Sequence, residues 1–217
     1  MEGALFLIAG IILLLVVFYD FFYTTLSASG AAFMTKYFSI FLHRVLLAAA
    51  KLFGRKIFNL SGVWINLPVL ILWLFLFWTG LFLIFSYNPE GVVSSSGKIA
   101  STLERFYFTG YVISTLGLGD FKPITPLFEI LTSSFSLLGF VIVTTSMTYF
   151  ISVSSAVIEK RSVSLLIRHL GESPQEVLQN LLKMKASLRG QQFISLQQMI
   201  DKHSNSHQSY PVIHFYN

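Results

Sequence analysis

The chain has 217 residues, of which 54% are apolar and only 12% are charged, and its formal net charge is +5. Water-soluble domains carry about twice that share of charged residues. The 22 phenylalanines are more than a soluble core of this size would use, and the absence of cysteine excludes disulfide bonds and thiolate metal sites. Composition therefore predicts an integral membrane protein.

Three apolar segments are long enough to cross a membrane as helices, which takes about 20 residues. They comprise residues 4–26, 64–86 and 127–158. Asp20 and Glu129 are the charged residues within them. We assign the first segment to a domain of residues 1–27. The small residues at 27–31 would also suit a signal-peptide cleavage site, but the start lacks Lys and Arg and the apolar run is long, which favours a span.

Residues 31–60, the second predicted domain, are apolar but interrupted by basic side chains at helical spacing. Most of these cations fall on one side of a helix, and aromatic and aliphatic residues fill the rest. Two arrangements fit: an amphipathic helix in the headgroup region with anionic lipid at its cations, or a helix packed on its neighbours with solvated charges. The candidate lipid contacts are Lys36, Arg44, Lys51, Arg55 and Lys56.

The distribution of positive charge predicts the orientation of the chain in the membrane. Basic residues place residues 31–60 and the tail, residues 159–217, on the cytoplasmic side. The N-terminus and the turn-rich segment 88–97 then lie outside. We therefore expect a multi-pass protein of the cell membrane.

The tail carries one clear helix signal. Ser173 and Glu176 match a capping box, which places a Ser or Thr three residues before a Glu or Gln at a helix start. An amphipathic helix follows, and we expect Gly190 to end it. Residues 201–217 are expected to fray.

A short helix and a glycine-bearing loop lie between the second and third spans, within a domain of residues 64–158. Ser101 and Glu104 form a capping box, and the helix they open, residues 102–114, is about 20 Å long and too short to cross. Thr-Leu-Gly-Leu-Gly-Asp follows at residues 115–120. Glycine permits dihedral angles that turn successive carbonyls to one side, so the loop is predicted to replace the water around a cation.

The loop resembles the Thr-x-Gly-x-Gly-Asp-x-x-Pro filter of potassium channels, and residues 64–158 resemble that family's outer helix, pore helix, filter and inner helix. With Phe106-Tyr107-Phe108 upstream, the filter is most similar to the second pore loop of two-pore-domain potassium channels. The resemblance implies an all-α fold of three transmembrane helices plus a re-entrant pore helix, assembled as a homotetramer around a central pore. It implies an outer-mouth carboxylate at Asp120. The implied ion-binding residues are Thr115, Leu116, Gly117, Leu118 and Gly119.

Positions behind the filter and along the third span complete the predicted site. Tyr107 and Phe108 would support the filter by packing, and Tyr111 would either reach Asp120 or pack in the interior. Gly139 stands where the family often has a gating hinge, and close helix packing would explain a glycine there equally well. Helical spacing after it predicts pore-lining or gate residues at Phe140, Val143, Thr144, Met147 and Ile151.

The predicted function is a potassium-selective channel that needs no cofactor besides the K⁺ in its filter. Leu118 replaces the Tyr whose hydroxyl braces the filter in most of the family, so a non-selective cation channel stays open as an alternative. A non-conducting scaffold or a subunit of a potassium uptake system is the second alternative. No residue set suggests an enzyme or a nucleic-acid surface. His203 and His207 have no third strong ligand nearby, except Asp201, for a transition metal.

Overall fold

The computed structural model describes residues 2–27, 30–54, 61–183 and 185–209. Two of the predicted lipid contacts, Arg55 and Lys56, lie outside these ranges. The structure is mostly helical, as predicted. In chain order its elements are α1 (Glu2–Leu26), α2 (Phe33–Phe53), α3 (Ser61–Phe85), β1 (Val92–Ser94), α4 (Thr102–Ile113), β2 (Phe121–Pro123), α5 (Pro126–Leu170), α6 (Pro174–Lys183) and α7 (Ala186–Ser209).

Helices α1, α3 and α5 are long and apolar enough to cross a membrane, which confirms the three predicted spans. Helix α5 extends beyond the predicted span, which ends at residue 158. No Gly or Pro occurs between Gly139 and Gly171, so nothing breaks the helix where its side chains become polar. Its 45 residues are about twice what a bilayer requires. The end of an apolar run therefore does not mark the end of this helix.

The chain forms two compact units. The first comprises Met1–Thr25 and Leu67–Tyr149, and the second comprises Leu26–Asn66 and Phe150–Asn217. The first unit thus contains α1, most of α3, the segment with α4, and the first half of α5. This is the unit that contains the predicted pore loop.

Glycines bring α1 and α3 into close contact in the first unit. A Cβ added to Gly10 would lie 2.9 Å from the carbonyl oxygen of Gly80, closer than side-chain carbons approach. Small residues at such crossings let membrane helices gain packing contacts along their backbones. Beside this crossing, Phe18 and Phe77 meet edge to face with ring centroids 4.8 Å apart.

A buried polar contact joins the same two helices. Asp20 is 2% exposed, and its Oδ2 accepts a hydrogen bond from Nε1 of Trp73 over 3.0 Å. An acidic side chain in a membrane helix is costly unless it faces the protein interior and has partners. Phe21 packs edge to face on the same indole, with centroids 5.1 Å apart. The indole therefore fixes the pairing of α1 with α3.

The tail helices of the second unit differ in part from the prediction. Ser173 Oγ accepts a hydrogen bond from Glu176 N over 3.2 Å, which confirms the predicted cap of α6. The Glu176 carboxylate reaches back to the main-chain nitrogen of Glu172, at 3.0 Å. Lys202 of α7 forms an ion pair with Glu159 of α5, with 2.6 Å between Nζ and Oε1.

The prediction that Gly190 ends the tail helix is wrong. Helix α6 already ends at Lys183, and Gly190 lies inside α7. A single exposed glycine costs a helix only about 1 kcal/mol, so its neighbours can carry the helix through. The prediction of fraying is also wrong for residues 201–209, which are helical, while residues 210–217 lie outside the described ranges.

The contact between Asp20 and Trp73 predicts a stability difference between two tryptophan variants. Trp73→Phe removes the donor but keeps a ring, so the buried Asp20 carboxylate loses this hydrogen bond, and one such bond contributes about 0.5–1.5 kcal/mol. We expect a lower thermal unfolding midpoint in detergent. Trp64→Phe is the control, because Trp64 is 51% exposed. Equal midpoints for the two variants would show that the hydrogen bond does not stabilise the helix pair.

Candidate functional site

The short helix α4 begins with the predicted capping box. Ser101 Oγ accepts a hydrogen bond from Glu104 N at 3.4 Å, and Glu104 Oε2 accepts one from Ser101 N at 2.7 Å. Hydrogen bonds to the backbone and then the side chain of Ser101 lower the pKa of Glu104. A lowered carboxyl pKa favours the folded helix start at neutral pH, and this contribution is lost as the pH falls through the folded-state pKa. The cap therefore fixes where α4 starts.

Trp78 of α3 holds α4 along its length. Its Nε1 donates a hydrogen bond to the carbonyl oxygen of Phe106 over 2.8 Å, and the two aromatic systems stack with centroids 4.2 Å apart. A Cβ added to Gly110 would come within 2.8 Å of the indole. Glycine at position 110 therefore allows the indole to lie against the helix.

Gly139 is the point at which α5 meets the end of α4. A Cβ added there would lie 2.2 Å from the carbonyl oxygen of Ile113. Helix α5 continues through this residue without interruption. Of the two interpretations left open by the sequence, close packing has direct geometric support, while a gating hinge stays a prediction.

The loop after α4, residues 114–120, has an alternating backbone. Thr115, Gly117 and Gly119 have φ angles of 57°, 56° and 80°, in the left-handed region. Along an ordinary strand, successive carbonyls point to opposite sides of the strand. When every second residue has a left-handed φ, each peptide plane is rotated relative to the one before it. Successive carbonyls then point to the same side. Thr115 is the one described non-glycine residue with positive φ, and such a conformation is uncommon enough to indicate a constraint.

Main-chain hydrogen bonds hold the start of this loop and leave its carbonyls open. Thr115 N donates to Val112 O at 3.2 Å, and Leu116 N donates to Tyr111 O at 3.0 Å. Within the described ranges, the carbonyls of residues 115–119 accept no hydrogen bond. All side chains of residues 114–120 are exposed in the single chain. The loop thus presents a row of free acceptors.

The far end of the loop is anchored by a small sheet that the sequence did not predict. Strands β1 and β2 pair antiparallel, with Val93 opposite Lys122. Ser95 N donates to Asp120 O at 2.8 Å, and Ile124 N donates to Gly91 O at 3.1 Å. The turn-rich segment before α4 therefore fixes the position at which the chain leaves the loop.

The three aromatic residues predicted to support the loop have different surroundings. Tyr107 donates its hydroxyl hydrogen to Oδ2 of Asp120 over 3.3 Å, and the Tyr111 hydroxyl donates to the carbonyl oxygen of Phe121. Phe108 is buried and packs against Phe85 of α3, with centroids 5.2 Å apart. One of the two interpretations of Tyr111 was a contact with Asp120. In the structure, Tyr107 makes that contact instead.

Arg105 is a supporting residue that the sequence reasoning missed. It is 8% exposed, and its Nη1 donates to the carbonyl oxygens of Ala100 at 3.0 Å and Pro89 at 3.2 Å. Pro89 lies near the start of the turn-rich segment and Ala100 lies just before the N-cap of α4, so the guanidinium ties the start of that segment to α4. The available signal was a single cation inside a short helix.

The predicted pore-lining residues share one side of α5. At about 100° per residue, they fall within an arc of about 100°, and all of them are exposed in the single chain. The Thr144 hydroxyl donates to the carbonyl oxygen of Phe140 at 2.8 Å, which satisfies it within the helix. This side is otherwise apolar and comprises Phe140, Val143, Thr144, Met147 and Ile151.

Two candidate membrane spans, joined by a short capped helix and an open loop, form this part of the chain. Residues 69–156 match the model of a family described as "Ion channel". The match confirms the predicted resemblance for this part of the chain. It covers α4, the loop and most of both flanking helices.

A longer bacterial protein is similar to almost the whole chain. An uncharacterized membrane protein of Bacillus subtilis strain 168, YdjJ, is 33% identical over 222 aligned positions, which cover 97% of this chain and 62% of that protein. The chain therefore spans less than two thirds of this relative's length. No solved structure matches the chain significantly.

The contact between α5 and α4 predicts that alanine lowers the thermal stability at Gly139 but not at Gly190, a glycine inside α7. Gly139→Ala forces a methyl group against the carbonyl of Ile113, and such overpacking costs about 1–3 kcal/mol. We expect a clearly lowered thermal unfolding midpoint in detergent. The control is Gly190→Ala, which has open space around it and should be neutral or slightly stabilising. If both variants unfold like the unaltered chain, close packing does not explain Gly139.

Proposed function

We propose that this chain forms a tetrameric potassium channel of the cell membrane and acts by conduction, without covalent chemistry. The single observation that carries the proposal is the open row of carbonyls at residues 115–119, with left-handed φ at Thr115, Gly117 and Gly119. The match of residues 69–156 to an ion-channel family supports it.

Carbonyl oxygens suit this task because they accept hydrogen bonds or coordinate cations and cannot donate. A bare monovalent cation in a low-dielectric medium costs on the order of 20 kcal/mol, so a pore has to replace the water that the ion loses. Rings of carbonyls from four chains do this in potassium-channel filters, which are a well-established example. The free acceptors of this loop would form such rings.

Two electrostatic features around the loop favour cations. Helix α4 ends at Ile113, and a helix C-terminus carries roughly half a negative charge. Asp120, at the other end of the loop, adds a carboxylate that Tyr107 orients through its hydroxyl at 3.3 Å. Negative charge at both ends would raise the local concentration of K⁺ and hold it at the entrance.

Assembly of several chains would complete the site. Each chain supplies one loop, and the loop is exposed when the chain is alone. An apolar groove of about 480 Å³ between α3 and α4 reaches Leu116 of the loop and Val143 of α5. A second copy packed against this side would cover both the groove and the loop, as a ring of four chains requires.

A non-selective cation channel is the second candidate, and the side chain at position 118 favours it. Leu118 has no hydroxyl, and the side-chain hydrogen bonds that brace the loop reach Asp120 and Phe121 instead. A less firmly held ring would accept Na⁺ more readily if ring size decides selectivity. Reversal potentials measured with K⁺ on one side and Na⁺ on the other distinguish the two candidates.

Gly117→Ala tests the proposed filter directly. An L-residue at this left-handed position costs about 1–2 kcal/mol in each chain, and in a tetramer the four new methyl groups would disturb one ring. We expect K⁺ flux from liposomes containing the purified protein to be abolished. The unaltered chain should release K⁺ down its gradient.

Gly97→Ala is the matched control for this experiment. Gly97 also has a positive φ, of 82°, and open space around it, but it lies in the turn before α4. Its variant should conduct like the unaltered chain. Full K⁺ flux through Gly117→Ala would overturn the proposed filter, and no flux through the unaltered chain would favour a scaffold or uptake subunit.

The tetramer predicts the mass of the solubilised complex. Native mass spectrometry in mild detergent should give four chains of 24.5 kDa each, because one loop per chain supplies a quarter of each carbonyl ring. A complex that is only monomeric or dimeric at all protein concentrations would contradict a homotetrameric pore.

A further inference from the structure

Helix α2 presents an exposed face on which basic and apolar side chains lie side by side. At about 100° per residue, Lys36, Arg44 and Lys51 occupy one arc of this face. All three are exposed. The next arc around the helix is apolar and consists of exposed Tyr37, Phe41, Val45 and Leu52.

The opposite side of α2 is already covered. Thr35, Ser39 and Leu46 are buried, with exposures of 0%, 1% and 7%. The exposed face is thus the part of the helix that remains available for another partner. The exposed side chains of Phe33 and Leu47 also lie in the first arc. One arc thus mixes cations with apolar groups, and the other carries aromatic and aliphatic groups.

The surrounding sequence offers these cations no carboxylate. Between Asp20 and Glu90 the chain contains no acidic residue at all. Within the described part of the chain, Lys36, Arg44 and Lys51 form no ion pair, so this surface repels cationic partners. Its electrostatic complement is therefore an anionic surface.

Chain connectivity keeps α2 within reach of the membrane. Only residues 27–32 separate the end of α1 from Phe33, and a segment of that length spans at most about 25 Å. At its other end, α2 is separated from α3 by residues 54–60. Both neighbouring helices are candidate membrane spans, so both ends of α2 lie near the same bilayer surface.

We propose that the exposed face of α2 is a docking surface for the anionic phospholipids of the adjacent leaflet. The basic arc contacts headgroup phosphates, and the apolar arc enters the boundary between headgroups and acyl chains. Amphipathic helices with cations beside aromatic residues bind membranes in this way. The proposal does not depend on the channel function, because lipid binding by α2 requires no conduction.

Competition between lipids tests the basic arc. The purified protein is equilibrated with equal amounts of phosphatidylglycerol and phosphatidylcholine, and the lipids retained are counted by native mass spectrometry. Each cation near an anionic surface contributes about a fivefold preference. In the triple variant Lys36→Gln/Arg44→Gln/Lys51→Gln, the ratio of retained phosphatidylglycerol to phosphatidylcholine should therefore be at least about tenfold lower than in the unaltered chain.

A tail variant with the same loss of charge is the control. Lys183→Gln/Lys185→Gln/Arg189→Gln removes three cations, one from α6, one from the two-residue connection and one from α7. It should keep the preference of the unaltered chain. An unchanged preference in the α2 variant, or an equal loss in the tail variant, overturns the proposal.

A second measurement tests the apolar arc and does not depend on the charge variants. Since the chain has no cysteine, a fluorophore on Phe41→Cys labels a single position. Brominated phosphatidylglycerol in vesicles should quench it several-fold more than it quenches the same label on Ser204→Cys, an exposed position of α7. Equal quenching at the two positions, as expected if another protein copy covers α2, overturns the proposal.

Discussion

The constraint on which the rest of the structure depends is the row of carbonyls at residues 115–119, which accept no hydrogen bond from the described part of the chain. An unpaired peptide group in an apolar medium costs several kcal/mol. Such a row persists in an apolar medium only where other groups meet the oxygens. Because carbonyls only accept, those groups are hydrogen-bond donors or cations, and a cation is the partner that the proposed function requires.

The elements around the loop hold its two ends and leave its middle free. The last turn of α4 fixes the start, and the β1–β2 pair together with Ser95 fixes the exit at Asp120. Outside the loop, Gly110 and Gly139 allow a tryptophan ring and a helix end to approach. Inside the loop, Gly117 and Gly119 supply left-handed φ angles instead. Glycine thus allows close packing at positions 110 and 139, and it allows an unusual backbone conformation at positions 117 and 119.

Local signals in the sequence predicted the spans, the cap at Ser101 and the glycine loop. The length of an apolar run indicates a span, a Ser three residues before a Glu indicates a cap, and the glycines themselves indicate the loop. The pairing of β1 with β2, the Trp78 hydrogen bond and the Arg105 contacts were not predictable in this way. The strand pairing, the Trp78 bond and the contact of Arg105 with Pro89 join residues at least 16 positions apart, which patterns read along the chain do not reveal. The true extent of α5 and α7 was missed for a different reason, since neither loss of apolar character nor a single glycine has to end a helix.

The replacement of the usual Tyr by Leu118 changes which forces hold the middle of the loop. Between the bond at Leu116 N and the bond at Asp120 O, no side-chain or main-chain hydrogen bond within the described ranges fixes the peptide planes. In the proposed tetramer, glycine dihedral preferences and packing between chains would position the carbonyls. If selectivity depended on a rigid ring size, such a loop would discriminate poorly. If it depends on the number and field strength of the carbonyl dipoles, Leu118 leaves it intact, because each chain still contributes the same oxygens.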